Sequence, residues 1–228
     1  MNLTGPEIIE RIKEIIPTVL KLRNRKEIKD DGSYVTEGDL LLSRHLKQIF
    51  EDNLPYHTFI SEEDYDQTMD YDPEGSYIFV DPIDGTENFV SGLKEWGIGI
   101  SIYTNGQHYF SLIYLPEMFD YHFTGMEFEC YESRVVGLSS SIKVSDLDPS
   151  KTDLEVRITG CAMYNLLSAA RGCFRSFENV KGVNCWDILP GLNLALENHC
   201  LVEVDEKKYC GEILFPTRKY KVKISNGI

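Results

Sequence analysis

Long apolar runs are missing from this sequence. No segment approaches the ~20 apolar residues that cross a bilayer, and Glu7, Glu10, Arg11, Lys13 and Glu14 break up the apolar positions near the N-terminus that a signal peptide would keep together. No membrane partner is therefore expected, and the expected location is cytoplasmic. Positive charge is scarce as well: 23 Lys and Arg stand against 37 Asp and Glu, a net charge of -14. Nucleic-acid polymers bind through clustered cations, so they are not expected as partners. The six cysteines, Cys130, Cys161, Cys173, Cys185, Cys200 and Cys210, form no CxxC pair and no zinc-like spacing with the five histidines. Reduced, mostly buried thiols are expected. Internal repeats and low-complexity stretches are absent too.

What is present is an ordinary globular composition, 42% hydrophobic and 26% charged over 228 residues, enough for one core and one domain spanning 1–228. Ile8, Ile9, Ile12, Ile15, Ile16, Val19 and Leu20 recur at helical spacing over 6–23, with Pro6 suited to the first turn and Pro17 expected to kink or divide the helix. A second helix would bury Leu42, Leu46, Ile49 and Phe50. Strands are expected at 57–60, 77–80, 97–103, 108–114 and 119–123, the third and fourth joined by an Asn105-Gly106 hairpin in an antiparallel meander. Beyond residue 150 the pattern alternates: strand 154–159, helix 161–172, a short strand at 176–178, helix 187–199 and strand 201–204. Alternation of this kind implies layered α and β structure, an α+β fold.

Three acidic segments stand where strands end: Ser61-Glu62-Glu63-Asp64, Asp81-Pro82-Ile83-Asp84-Gly85-Thr86, and Asp187 at a helix start. Taken alone, the first reads equally as a solvated turn and the second as a β-turn leading into a capped helix. Together they suggest a cation site. Two like charges ~4 Å apart repel by about 4 kcal/mol at an effective dielectric of about 20, so converging aspartates need a cation or a proton between them. Oxygen-only donors favour Mg2+, Mn2+ or Ca2+. The backbone N–H groups of Gly85, Thr86 and Glu87, at a helix start, suit a phosphate. A phosphate ester bound by so acidic a chain would itself require divalent cations.

The segments Val35-Thr36-Glu37-Gly38-Asp39, Ser61-Glu62-Glu63, Asp81 to Phe89 (DPIDGTENF) and Cys185-Trp186-Asp187 resemble, in order and spacing, the inositol monophosphatase superfamily of lithium-sensitive, magnesium-dependent phosphatases. The resemblance covers roughly residues 6 to 205 and implies a layered αβαβα sugar-phosphatase fold. It implies that Glu62, Asp81 and the Ile83 carbonyl hold one metal, and that Asp81, Asp84 and Asp187 hold another. Glu62 could also help with a third ion. Two or three Mg2+ are implied, with Mn2+ a possible substitute and Li+ inhibitory. The attacking water would be oriented by the Thr86 hydroxyl, itself paired with Asp39, making Asp39, Glu62 and Thr86 the implied catalytic residues. Asp39 also reads as the first-turn acid of a helix capped by Thr36, a purely local role. Trp186 is expected to pack behind Asp187.

The resemblance also implies a homodimer and a small phosphorylated metabolite as substrate, inositol monophosphate or a similar sugar phosphate. A 3'(2'),5'-bisphosphate nucleotidase, a histidinol-phosphate phosphatase and a non-catalytic metal- or phosphate-binding relative stand as alternatives. Gly85, Thr86, Glu87 and Ala162 are the substrate-binding candidates, joined by Glu178, whose spacing to Asp187 is longer than the family's. The division expected is an N-terminal α+β half, 1–145, and a C-terminal α/β half, 146–228. The latter is shortened between Ser145 and Thr159 and again after Cys210.

Overall fold

The structure, a computed structural model, describes residues 3–30, 32–66, 68–142 and 155–226. Helix α1 (Gly5–Lys21) starts at a capping box in which Thr4 and Glu7 satisfy each other's backbone donors. Pro17 does not divide it. The ring sits on the exposed side of the last turn, where the carbonyl it leaves unbonded can meet water. Strands β1 (Lys26–Ile28) and β2 (Tyr34–Thr36) form a small antiparallel hairpin before α2 (Glu37–Asn53). The expected face of α2 is buried at Leu42, Leu46, Ile49 and Phe50.

A five-stranded sheet follows, made of β3 (Thr58–Ser61), β4 (Tyr77–Asp84), β5 (Gly97–Thr104), β6 (Gln107–Leu115) and β7 (Asp120–Phe123), in that spatial order. β3 and β4 run parallel and the rest form the expected meander. Asn105 and Gly106 turn the hairpin with φ of 50° and 77°, the left-handed pair that a two-residue loop demands. A short helix, α3 (Thr86–Ser91), leaves the end of β4.

A second sheet combines β8 (Val135–Leu138), β9 (Glu155–Arg157), β10 (Ser176–Val183), β11 (Leu201–Val204), β12 (Lys207–Lys208) and β13 (Tyr220–Ser225), ordered β12-β11-β13-β10-β8-β9. It therefore draws β8 from before residue 145. Helices α4 (Ala162–Ala170) and α5 (Cys185–Glu197) lie between the two sheets. Of the expected strand 154–159, β9 is described, whereas Leu154 and most of the shortened Ser145–Thr159 stretch lie outside the described residues.

The layers are thus α1 and α2, the first sheet, α4 and α5, and the second sheet. Residues of β4 sort by alternation. Ile78 and Val80 join the core under α1 and α2, while Tyr77 and Phe79 join the core containing Ile188, Leu189 and Leu192 of α5. Each fully buried side chain of this kind stabilises by about 1.5–3 kcal/mol, so β4 is held from both faces. Among the described residues no helix covers the outer face of the second sheet. The expectation of mostly buried thiols holds for Cys161, Cys185 and Cys200 only, since Cys173 is half-buried and Cys130 and Cys210 are exposed.

Candidate active site

Alternation along β4 sends Asp81 to the same side as Phe79, toward α5. The Glu62 N–H continues the parallel ladder by donating to the Val80 carbonyl (3.2 Å), which brings the residue after β3 level with the end of β4. Helix α5 supplies the third acid. Its cap, Asn184, and Asp187 form a capping box, with the Asn184 N–H donating to Asp187 Oδ2 at 3.1 Å. As a result Glu62, Asp81 and Asp187 each offer a carboxylate oxygen within 4.8 Å of the others. Among the described residues this is the one such group.

Asp81 is buried. Burial, followed by the charges of Glu62, Asp187 and Asp84, pushes its carboxyl well above the usual range. Burial and the charges of Glu62 and Asp84 do the same to Asp187, against the pull of its bonds to Asp81 and Asn184. Such a group keeps a proton unless a cation replaces it. The donor set is hard oxygen throughout, which fits Mg2+, Mn2+ or Ca2+. The Ile83 carbonyl accepts from the Thr86 hydroxyl at 3.0 Å and has a second lone pair for a cation.

Asp84 stands beside this group, its Oδ2 tied to the start of α4. The Cys161 thiol donates to that oxygen at 3.0 Å and the Met163 N–H at 2.5 Å. Burial raises the Asp84 carboxyl to about 6, the two donors holding it from going higher. Cys161 is also the N-cap of α4, its sulfur accepting from the Tyr164 N–H at 3.3 Å. Burial, then the charge of Asp84, holds the thiol far above its ordinary pKa.

Gly85 takes a left-handed φ of 82° to turn β4 into α3. A Cβ there would sit 3.0 Å from that of Cys161. Asn88 fastens the same corner, its Nδ2 donating to the carbonyls of Glu95 (2.6 Å) and Thr159 (2.7 Å).

The expected link between Thr86 and Asp39 is not made. Thr86 bonds Ile83, while Asp39 accepts from the Thr36 N–H (2.8 Å) and hydroxyl (2.5 Å) in the capping box that opens α2. The local reading of Asp39 therefore describes its contacts. Its carboxyl is nonetheless raised to about 7, by burial first, Thr36 opposing and the charges of Glu63 and Glu62 adding. Asp39 is thus an acid titrating near neutrality in the electrostatic field of the cluster.

Ala162 lines a cleft of about 110 Å³ with Asp84, Ser139, Ser140, Asn165 and Asn179. Glu178 does not line this cleft. It faces a separate cavity with Glu203, Lys221 and Lys223, because on β10 it alternates away from the buried Phe177. Glu87 is exposed at the start of α3. Trp186 packs as expected, its ring 4.7 Å from that of Tyr65.

Two contributors were not expected from sequence. Lys29, just past β1, bonds Glu62 at 2.9 Å and Glu63 at 2.8 Å. Burial would lower its ammonium pKa, but the charge of Glu62 and the two hydrogen bonds outweigh this and raise it. The other is the thiol of Cys161. Nothing in local sequence marks either, since both act on acids 33 and 77 residues away.

Comparison with known proteins agrees with this geometry. The chain is 26% identical over 219 residues to an inositol monophosphatase of Dictyostelium discoideum, covering 83% of this chain and 80% of that one. It is 30% identical over 89 residues to the Nus factor SuhB of Pasteurella multocida, a match spanning 39% of this chain and only 33% of that protein. A solved IMPase/NADP phosphatase complexed with Mg2+ and phosphate superposes with a TM-score of 0.79 at 19% identity, covering 96% of this chain and 87% of the other, a likeness of fold. The inositol monophosphatase family model matches residues 5–145, the part that carries Glu62, Asp81, Asp84 and the turn into α3. With that match over more than half its length, this chain belongs to the inositol monophosphatase family, and with it to the phosphomonoesterases.

Proposed function

We propose that the chain hydrolyses a small phosphorylated metabolite, inositol monophosphate or a similar sugar phosphate, in a Mg2+-dependent reaction. The observation that carries this reading is the convergence of Glu62, Asp81 and Asp187 on one point beside Asp84. Glu62, Asp81, Asp187, Asp84 and the Ile83 carbonyl would hold the cations. When bound, divalent cations make water acidic enough to attack at neutral pH and offset charge on phosphoryl oxygens.

The rest of the chemistry falls to the protein. The turn at Gly85 brings the first N–H groups of α3 to the end of β4, where a phosphate oxygen can accept from them. Asp39, raised to about 7, is suited to take a proton from the attacking water near neutral pH. For this, the Thr86 hydroxyl must leave the Ile83 carbonyl and bridge toward Asp39. The cleft beside Asp84 receives the leaving group. At about 110 Å³ and lined by hydroxyl and amide groups of Ser139, Ser140, Asn165 and Asn179, it suits a small polyol.

We further propose a homodimer. Leu93 and Ile158, 50% and 44% exposed, lie on the two loops that Asn88 ties together, an apolar area that a second copy would cover. Sedimentation velocity giving a monomer at micromolar concentration would remove this part.

The deciding experiment is phosphate release from myo-inositol 1-phosphate, fructose 1,6-bisphosphate, adenosine 3',5'-bisphosphate and histidinol phosphate, with Mg2+, with EDTA, and with Mg2+ plus Li+. Mg2+-dependent release from the inositol or sugar phosphate, suppressed by Li+, is expected. Release from adenosine bisphosphate alone would assign the nucleotidase activity instead. Release from none, in a protein that still binds Mg2+, would favour a non-catalytic relative.

A further inference from the structure

Asp84 differs from the other acids in how it is held. Glu62, Asp81 and Asp187 converge on one another, whereas Asp84 is gripped from outside the cluster by the start of α4. The Cys161 thiol and the Met163 N–H meet the same oxygen, Oδ2, which leaves Oδ1 as the oxygen for a cation. A carboxylate free to rotate would exchange its two oxygens. One gripped on a single oxygen cannot do so without breaking two hydrogen bonds.

The grip is itself immobilised. Cys161 is 1% exposed, and its sulfur accepts from the Tyr164 N–H while donating to Asp84, which leaves it one rotamer that serves both. Its Cβ lies against Gly85, where an added Cβ would approach to 3.0 Å. The preceding residues are pinned through Thr159, whose carbonyl accepts from Asn88.

We propose that Cys161 is a positioning residue for the second cation site. Through its hydrogen bond it orients the Asp84 carboxylate toward the position between Asp84, Asp81 and Asp187. The inference rests on the phosphatase reading above, and it assigns no bond between sulfur and metal. Any side chain at 161 that caps α4 and donates from the same place will serve, so serine replaces cysteine and alanine or valine does not.

The test is Mn2+ binding followed by electron paramagnetic resonance on the full chain, without substrate, for wild type, Cys161→Ser, Cys161→Ala, Cys161→Val and Asp84→Asn, and for Cys161→Ala combined with Asp84→Asn. Cys161→Ala and Cys161→Val are expected to weaken the weaker binding step about three- to tenfold, the range for losing a weak donor to a charged acceptor. Cys161→Ser stays within about twofold of wild type. In the Asp84→Asn background the alanine has no further effect on binding, because the residue through which it acts is gone. Valine fills the space of the sulfur with a group that cannot donate, should alanine disturb folding by leaving a void. Wild-type binding in both alanine and valine variants would overturn the inference and leave the phosphatase reading intact, as would an equal loss that persists in Asp84→Asn. Absence of Mn2+ binding by the wild type would overturn both.

Discussion

The two sheets of this protein are covered differently, and their contributions to the site differ in the same way. The first has helices on both faces, α1 and α2 on one side and α4 and α5 on the other. Its strand β4 is buried from Tyr77 to Ile83. The second has α4 and α5 on one face, and its open face carries Glu203, Lys223 and Glu178 as direct cross-strand neighbours. Opposite charges in adjacent strands are worth roughly 0.2–1 kcal/mol each, enough to suit a face to water but not to replace a core. The acids that would hold cations stand on the doubly covered sheet and on the helix buried between the two. The second sheet and its loops supply walls of the cleft proposed for the leaving group, including Ser139, Phe177, Asn179 and Val183. Charge that must be held against its own repulsion needs a rigid mount. A wall that contacts a leaving group does not, and there the chain is free to differ from its relatives.

Removing an acid from the rigid part should have the largest effect. Asp81→Asn is expected to lower kcat/KM by about 100-fold or more, since it would delete a proposed ligand rather than a supporting contact. The same substitution should raise the melting temperature of the metal-free protein, because an amide has no proton to hold above its ordinary pKa in the buried site, the gain being about 2–4 °C per kcal/mol. A melting temperature in EDTA that falls instead would mean that the acids are not in conflict.

The second effect is on pH. Asp39 titrates near 7 in the folded protein and near 3.8 unfolded, so between those values the native state holds the extra proton. Its contribution to stability is therefore complete below about pH 3.8 and is lost as pH rises through 7. His57, His108 and His122, all lowered chiefly by burial, act oppositely but only below about pH 6.5, where the unfolded chain takes up their protons. Above pH 6.5 the acids act alone. The metal-free protein should lose stability as pH rises from 6.5, with a slope from Asp39 of about 1 kcal/mol per pH unit at pH 6.5 that fades to near zero by pH 8, and saturating Mg2+ should flatten the curve. Melting curves in EDTA and in Mg2+ across that window decide it, and stability that rises with pH in EDTA would contradict the burial of these acids.

Lys29 offers a smaller and more specific effect. Its ammonium bonds Glu62 and Glu63, neutralising charge where a cation would bind. Lys29→Gln should tighten Mg2+ binding about 15-fold, the value of one unit charge roughly 5 Å from a divalent cation in a watery environment. Calorimetric titration measures it, and weaker binding would instead make Lys29 a support for the bound state.

Legibility from sequence followed the same division. The meander and the Asn105-Gly106 turn were readable because each depends on neighbours in the chain, whereas β4 continues past the expected end at Val80, through Pro82 to Asp84, by an irregularity in its pairing with β5. β13 was missed, although Tyr220, Val222 and Ile224 alternate with Lys221 and Lys223. Six residues carrying two lysines at the end of the chain read as tail, and only pairing with both β10 and β11 makes them a central strand. β10 runs on to Val183 through an irregularity after Asn179 that no periodicity signals. Four of the acids were legible as a motif set. The hand-holds on them were not, because Cys161 and Lys29 reach their partners only through the fold.

The smallest effect expected lies on the open face. Lys223→Glu places like charges opposite both Glu178 and Glu203, costing about 0.5–1 kcal/mol, or roughly 1–4 °C in melting temperature. The Mg2+ midpoint for phosphate release should stay within about twofold of wild type, because the outer face of the second sheet is separated from Asp81 and Asp187 by the interior between the sheets. If the Mg2+ midpoint moved with the melting temperature, the two sheets would be mechanically coupled. The separation between a rigid metal mount and a variable leaving-group wall would then fail.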